Sequence, residues 1–378
     1  MFRNIPFNRV NWFTSSFLII TFFVALIGTP LYIINFGLDP FFIVMFLLYF
    51  AASAMGITMG YHRLFAHRAF KASVPVRLTT LIFGACAFED SALDWASDHR
   101  NHHKHTDHEE DDPYAISKGF LWAHIGWIFF KLYPRELNNV SDLRKDKLVM
   151  WQHKYHYIIG IVVGILLPTL LGYWYAGPGG AWGGFLFGGI TRVVLVQHCT
   201  FLINSLCHTM GRQPYCSQGS ARDSFLMAIF TFGEGYHNYH HTFQHDYRNG
   251  VKPWQWDPTK WAIWTLSKLG LVEDLRQVAP EKIVLAELRE TRRKAEERLR
   301  LIDEKKAQGD LRDCPVLESA IDHLRSLVHS LQECYDDIEE SFSKRLSVSR
   351  YVLERSRLNA SQVLKQLIAV DNLQPMAA

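Results

Sequence analysis

The sequence predicts an all-α integral membrane protein. It would have four transmembrane helices in two hairpins, a cytosolic helical cap holding a histidine-rich site, and a C-terminal helical, coiled-coil tail. Three observations predict this: four apolar runs have membrane length, basic residues keep to one set of connections, and composition changes abruptly near Pro280.

A helix needs about 20 mostly apolar residues to cross ~30 Å of hydrocarbon. Stretches near 14–36, 40–58, 157–176 and 182–204 meet this requirement. The last carries Arg192, Gln197 and His198, which should face protein or water because a lipid-facing charge is costly. Gly180, Gly184 and Gly188 recur every fourth residue and suit close packing on a neighbouring helix. Loops 37–39 and 177–181 hold no Lys or Arg, whereas the N-terminus, 59–156 and everything after about 205 hold the basic residues outside the spans. The positive-inside rule therefore puts that side, with both termini, in the cytoplasm. The run after Arg3 and Arg9 lacks a small-residue cleavage site and reads as a retained helix. GFLWAHIGWIFFKL, 119–132, is too short to span and reads as an interfacial helix.

Residues 1–280 hold 23 Lys+Arg and 19 Asp+Glu, while 281–378 hold 17 and 18 in a much shorter stretch. This divides the chain into a membrane domain, 1–280, and a charged helical tail, 281–378. In the tail Leu317, Ile321, Leu324, Val328, Leu331, Tyr335, Ile338 and Phe342 alternate steps of four and three, a heptad seam. Pro315 suits the first turn of that helix, after a break at Gly309. The seam could make a homo-oligomer, dock a partner, or pack on 284–302. A net charge of +3 provides no basic face for nucleic acid. Six cysteines without a CxxC pair read as reduced thiols.

The histidine clusters all fall on the cytosolic side. They are His62 and His67 in HRLFAH, His99, His102 and His103 in HRNHH, His208 in NSLCH, and His237, His240 and His241 in HNYHH. Residues three and four apart share a helix face, so each HxxHH triplet aims three imidazoles one way. Buried polar rings need partners, and neutral imidazole suits iron, copper, zinc or nickel. HRLFAH fits less well: five residues turn about 140° on an α-helix, so it requires a helix end or metals on both sides. His124, His153, His156 and His198 read as hydrogen-bonded structural groups. His105, His108 and His245 read as solvated or supporting groups, and His323 and His329 as surface residues. The clustered set exceeds the three or four ligands of one zinc site, and two metals with four or five nitrogen ligands each fit the count. Zinc would serve hydrolysis or structure, yet no nucleophile or paired base stands out. Iron would serve oxygen chemistry on a lipid beside the bilayer.

HRLFAH, DHRNHHKH, NSLCH and GEGYHNYHHTFQHDYR, with AFEDSALDWASDHR, FLWAHIGW and DPTKWAIW between and after them, resemble the membrane-bound fatty acyl desaturases, above all the delta-9 acyl-CoA group. The resemblance covers about residues 40–270. It implies two iron ions held by His62, His67, His99, His102, His103, His208, His237, His240 and His241, with Asn204 reaching one metal through water. Spacing alone does not single out His208. The resemblance further implies an O2-dependent oxidoreductase that inserts a cis double bond into a saturated acyl chain, with an apolar tunnel selecting the chain. Trp95, Trp122, Phe201 and Tyr236 are near the boxes and are candidate tunnel or substrate residues. Animal members carry an arginine where this chain has Ser97, and a basic pair where it has Lys131-Leu132. Lys131 is thus the remaining candidate contact for CoA, and the acyl group is carried by CoA or, failing that, by a lipid or carrier protein. No HPGG element of a fused cytochrome b5 domain is present, so electrons would come from a separate ferredoxin, flavoprotein or cytochrome.

Two rival functions stand beside this one. A diiron lipid or alkane hydroxylase would share the histidine boxes and put oxygen on the substrate. A metal transporter would need ionisable residues facing one another at mid-membrane, and the spans offer only Arg192 and His198.

Overall fold

A computed structural model describes residues 7–131, 137–311 and 314–377. Among the described residues, three helices are long and apolar enough to cross a membrane: Trp12–Phe36, Pro40–Ala66 and Lys147–His208. Asp39 starts the second by accepting from the Phe41 amide at 2.8 Å, and Asp146 starts the third by accepting from Leu148 at 3.0 Å. Each cap satisfies an amide that the first turn leaves free. Outward side chains such as Ile34, Leu48, Leu170 and Trp174 are uncovered.

The third helix, 62 residues long, doubles back on itself. Ala176 leaves helical geometry and Gly177 adopts φ +61°, where a β-carbon would be strained. The two arms then run antiparallel in close contact: a β-carbon on Gly172 would lie 2.1 Å from the Gly180 carbonyl, and one on Gly184 2.1 Å from that of Pro168. The glycine repeat at 180, 184 and 188 serves this approach, with Gly188 set against Pro168 and Met45. These arms are the stretches read above as the third and fourth spans.

Arg192 is fully buried between the apolar helices. It donates to Gly188 O at 3.0 Å, Ser53 Oγ at 3.2 Å, Cys86 O at 2.5 Å and Gly164 O at 2.5 Å. Gly164 and Gly188 both lie in π-wound stretches, where the helical ladder is interrupted and carbonyls can turn to side-chain partners. Gln197 donates to the carbonyls of Ala87 and Phe88, each at 3.1 Å. Arg192 and Gln197 thus tie the turn 86–88 to the apolar helices.

The helix Ala92–His105 follows that turn, with Ser91 as its N-cap. His237–Thr242 is a short helix, and Lys71–Ala72 pairs antiparallel with Val272–Glu273. The segment expected as one interfacial helix is instead Phe120–His124 followed by a 3-10 turn, Gly126–Phe129. Ile125, at φ −145°, breaks it. Lys131 is described and exposed, while Leu132 lies outside the described residues.

The chain forms two compact units: 1–212 with 219–277, and 213–218 with 278–378. In the second, Pro280–Ala307, Pro315–Ser343 and Arg350–Ala377 make a three-helix bundle around Leu288, Ile302, Leu317, Ile321, Leu324, Leu331, Ile338, Val363 and Val370. The heptad seam is therefore filled within the unit. The third helix lies within the stretch expected as a helical tail, though beyond the heptad seam, and its inward row includes the small residues Ser356 and Ala360.

Candidate metal centre

The nine clustered histidines come together as two groups. His62, His67, His99, His103 and His240 form one; His102, His208, His237 and His241 form the other. Within each, the candidate ligand atoms all lie within 4.8 Å of one another. In the first group Nε2–Nε2 separations are 3.0 Å for His62–His240, 2.8 Å for His67–His99 and 2.9 Å for His103–His240. In the second they are 3.0 Å for His208–His237, 3.0 Å for His237–His241 and 3.3 Å for His102–His241. A metal about 2.1 Å from each nitrogen would hold neighbouring ligands ~3 Å apart and opposite ones ~4 Å apart. The donor sets fit such an ion.

The triplets do not aim at one point each, as their spacing had predicted. On Ala92–His105, His99 and His103 enter the first group and His102 the second; on His237–Thr242, His237 and His241 enter the second and His240 the first. The i,i+4 pair shares a pocket, and the histidine between them turns to the neighbouring one. Each triplet thereby spans both pockets.

The five-residue step of HRLFAH has a local explanation. Residues Gly56–Ala66 are wound as a π-helix, and the His67 amide donates to the His62 carbonyl at 3.0 Å. An i→i+5 ladder widens the turn, so residues five apart come to one face. Gly56 and Gly60 let this stretch approach Val74–Ala85, where β-carbons would lie 2.3 Å from the Gly84 amide and 2.6 Å from Thr80.

Several of the opposite ring nitrogens lie beside acids or hydroxyls. His62 Nδ1 lies 2.9 Å from Glu234 Oε2, and His102 Nδ1 lies 2.9 Å from Asp112 Oδ2. His208 Nδ1 is 2.6 Å from Ser220 Oγ, which donates to Asp107 at 2.5 Å. His99 Nδ1 is 3.3 Å from the Tyr114 hydroxyl. A partner at Nδ1 fixes the tautomer and leaves the Nε2 lone pair for a metal. Arg63 supports the first pocket from behind. It donates to Glu234 Oε1 at 3.1 and 2.9 Å, to Asp257 at 3.1 and 3.0 Å, and to the Tyr247 carbonyl at 2.8 Å. Burial pushes Glu234 up, but Arg63 and His62 outweigh it and hold the carboxyl below its usual value. His67, His99, His103, His237, His240 and His241 are all held well below the ordinary imidazole value, by burial first and neighbouring histidines second. Neutral rings are the ligating form.

These acids were missed in the sequence. Because a ligating histidine usually donates its other N–H to a carboxylate, Glu234 inside GEGYHNYHH and the acids of TDHEEDD were the places to look. Nothing in the spacing chooses Asp107 and Asp112 from their neighbours.

A cavity of about 290 Å³ reaches the centre. Phe13, Phe17, Phe130 and Tyr157 line it with Phe201 and Trp95, and His62, His99, His102, His237 and Asn204 also face it. Trp95 stacks on His99 at 4.7 Å and donates to Glu89 at 3.3 Å. Glu89 also lines the cavity, and burial pushes its carboxyl up to about 8. The other expected substrate residues do not line it. Trp122 stacks on Phe130 at 5.9 Å, and Lys131 is exposed. The Tyr236 ring packs by Gly250, at the non-helical N-cap position of the helix that carries His237. Ser97 is buried and donates to Asn139 at 2.8 Å.

Two metal-capable histidine pockets beside an apolar cavity, on a chain with membrane-length helices, define the class as a membrane protein with a candidate metal centre. A sequence model described as Fatty acid desaturase matches residues 38–267, and the chain belongs to that family. It is 42% identical over 243 residues to a probable acyl-CoA desaturase of Schizosaccharomyces pombe, covering 63% of this chain and 49% of that protein. It is 39% identical over 249 residues to acyl-CoA desaturase 1 of Saccharomyces cerevisiae, covering 65% and 48%. It is 35% identical over 250 residues to a stearoyl-CoA desaturase of Capra hircus, covering 65% and 69%. The chain thus spans about half the length of the two fungal relatives.

Proposed function

We propose that the chain is an O2-dependent acyl-CoA desaturase that inserts a cis double bond, at the delta-9 position, into a saturated acyl chain. The observation that carries this is the division of nine histidines into pockets of five and four at the end of an apolar cavity. Two iron ions bound there would supply, with O2 and outside electrons, the oxidising power for an unactivated C–H bond that no side chain has. His62, His67, His99, His103 and His240 would hold one iron, and His102, His208, His237 and His241 the other, with Asn204 completing the second through water.

The protein's own task is positioning. The aromatic wall orders the acyl chain and excludes water, and Trp95, stacked on His99, sets how closely a methylene approaches. Holding reactants in place supplies a large share of a barrier reduction. We read the doubled-back helix as two spans, giving four in all, with the pockets and both termini on the cytoplasmic side. Residues 1–280 would be the membrane desaturase domain and 281–378 an accessory helical tail, and the seam filled within the bundle favours packing there over a homo-oligomer. The names of the relatives support CoA as the carrier, and a separate ferredoxin, flavoprotein or cytochrome would supply electrons.

Expression in a desaturase-deficient host, followed by fatty-acid profiling, tests the reading. Cis-monounsaturated chains are expected. A hydroxylated product would sink desaturation, and conversion of lipid-bound chains alone would sink the CoA assignment.

A further inference from the structure

Two short helices leave an apolar, cation-fringed face uncovered. Phe225–Phe230 buries Met227 and Ala228 and exposes Phe225, Leu226, Ile229 and Phe230 by 62, 60, 41 and 52%. Pro258–Lys268 exposes Trp261 and Trp264, three apart on one side, and the loop before it exposes Trp254 and Trp256. The ammonium groups of Lys252 and Lys268 lie 5.7 and 5.4 Å from the ring centres of Trp254 and Trp264. The acids between 224 and 272 are Glu234, Asp246 and Asp257, all buried, so no carboxylate of this stretch is exposed beside the lysines.

This face is continuous with the apolar helices. Thr259 Oγ1 meets Thr58 Oγ1 at 2.9 Å, and the Phe232 ring lies 5.9 Å from Phe50. Phe230 borders the same small gap as Ala54, Val196 and Cys199. Four uncovered tryptophans facing water would be costly, at ~25 cal/mol per Å² of apolar surface. At a membrane boundary the same rings are favoured, since an indole has an apolar body and a polar N–H, and a lysine can lay its stem on apolar surface and place its charge among phosphates.

We propose that this face is an interfacial platform seated on the phospholipid bilayer that surrounds the apolar helices. Phe225, Leu226, Ile229 and Phe230 enter the acyl-chain boundary, the tryptophans lie at headgroup depth, and Lys252 and Lys268 meet lipid phosphates. This rests on the reading of the apolar helices as spans. It sets the depth of the metal centre: His62 stands four residues beyond Thr58, within one wide turn of the same π-wound stretch, so an acyl chain has a short way to rise from the bilayer to the pockets.

The test uses the full chain in phosphatidylcholine nanodiscs, with and without lipids brominated near the head of the acyl chain. Emission of the parent is compared with that of a Trp254→Phe, Trp256→Phe, Trp261→Phe, Trp264→Phe variant, and of Trp264→Phe alone should the fourfold variant fail to fold. The emission that disappears with these tryptophans should be the component quenched by bromolipid and spared by aqueous acrylamide. Acrylamide quenching without bromolipid quenching, as for a surface facing water or a protein partner, would overturn the platform. Trp174→Phe separates the two readings. If Trp174 emission escapes bromolipid, the spans fail. If it is quenched while the other four answer only to acrylamide, the platform alone fails.

Discussion

The five-histidine pocket and the four-histidine pocket draw on the same two helical triplets, yet they are anchored differently. Behind the first stands a closed ionic lattice, Glu234–Arg63–Asp257, with Asn249 adding a bond to Glu234 Oε2 at 2.6 Å. Behind the second stand a loop carboxylate, Asp112, and the Ser220–Asp107 relay. The first support is a buried lattice of paired charges; the second is a loop in which Asp112, equally buried, has no cation among the described residues and also accepts from the Asp107 and Tyr114 amides at 3.1 and 3.2 Å. The difference teaches that similar ligand sets can carry quite different structural debts.

The largest expected effect treats both pockets equally. His240→Ala and His237→Ala should each abolish turnover, and elemental analysis of the purified protein should show about half the parent metal content. Turnover in either variant would remove that histidine from its set. Next comes an effect that divides the pockets. Arg63→Leu should lower unfolding stability by about 3–5 kcal/mol, because it leaves buried carboxylates without their cation, as thermal unfolding of the metal-free protein would show. Asp112→Asn strands no buried charge and should lower that unfolding stability by clearly less, while weakening metal retention by about 10–100-fold, measured by chelator competition. Equal destabilisation by the two changes would erase the distinction. The smallest effect concerns pH. Glu89 has a folded value raised from 4.5 to about 8, so the stability its neutral carboxyl contributes is present below the unfolded value and is lost as pH rises through about 8. Parent thermal midpoints should fall between pH 5 and about 9 more than those of Glu89→Gln, and the parent KM for acyl substrate should rise above pH ~8.

Much of the candidate site was legible because two HxxHH triplets in one chain have few other uses. The apolar runs and the composition break at Pro280 were legible for a similar reason: hydropathy and charge are summed over many residues. What was not legible lay in winding and in loops. The ideal α-helical angle misplaces His67, and only the π-turn brings it beside His62. The same angle hides that His102 and His240 leave their triplets for the neighbouring pocket. Tyr236 and Trp122 were chosen for closeness in sequence, whereas the cavity wall is assembled from Phe13, Phe130 and Tyr157, remote from the boxes.

The wide turn at Gly56–Ala66 makes the register of the second apolar helix part of the chemistry. Excising a single residue there, even one that touches no ligand, would let ordinary winding return and swing every downstream side chain by about 100°. All nine imidazoles would still be encoded, and His67 would point elsewhere. In this stretch the count of residues matters as much as their identity.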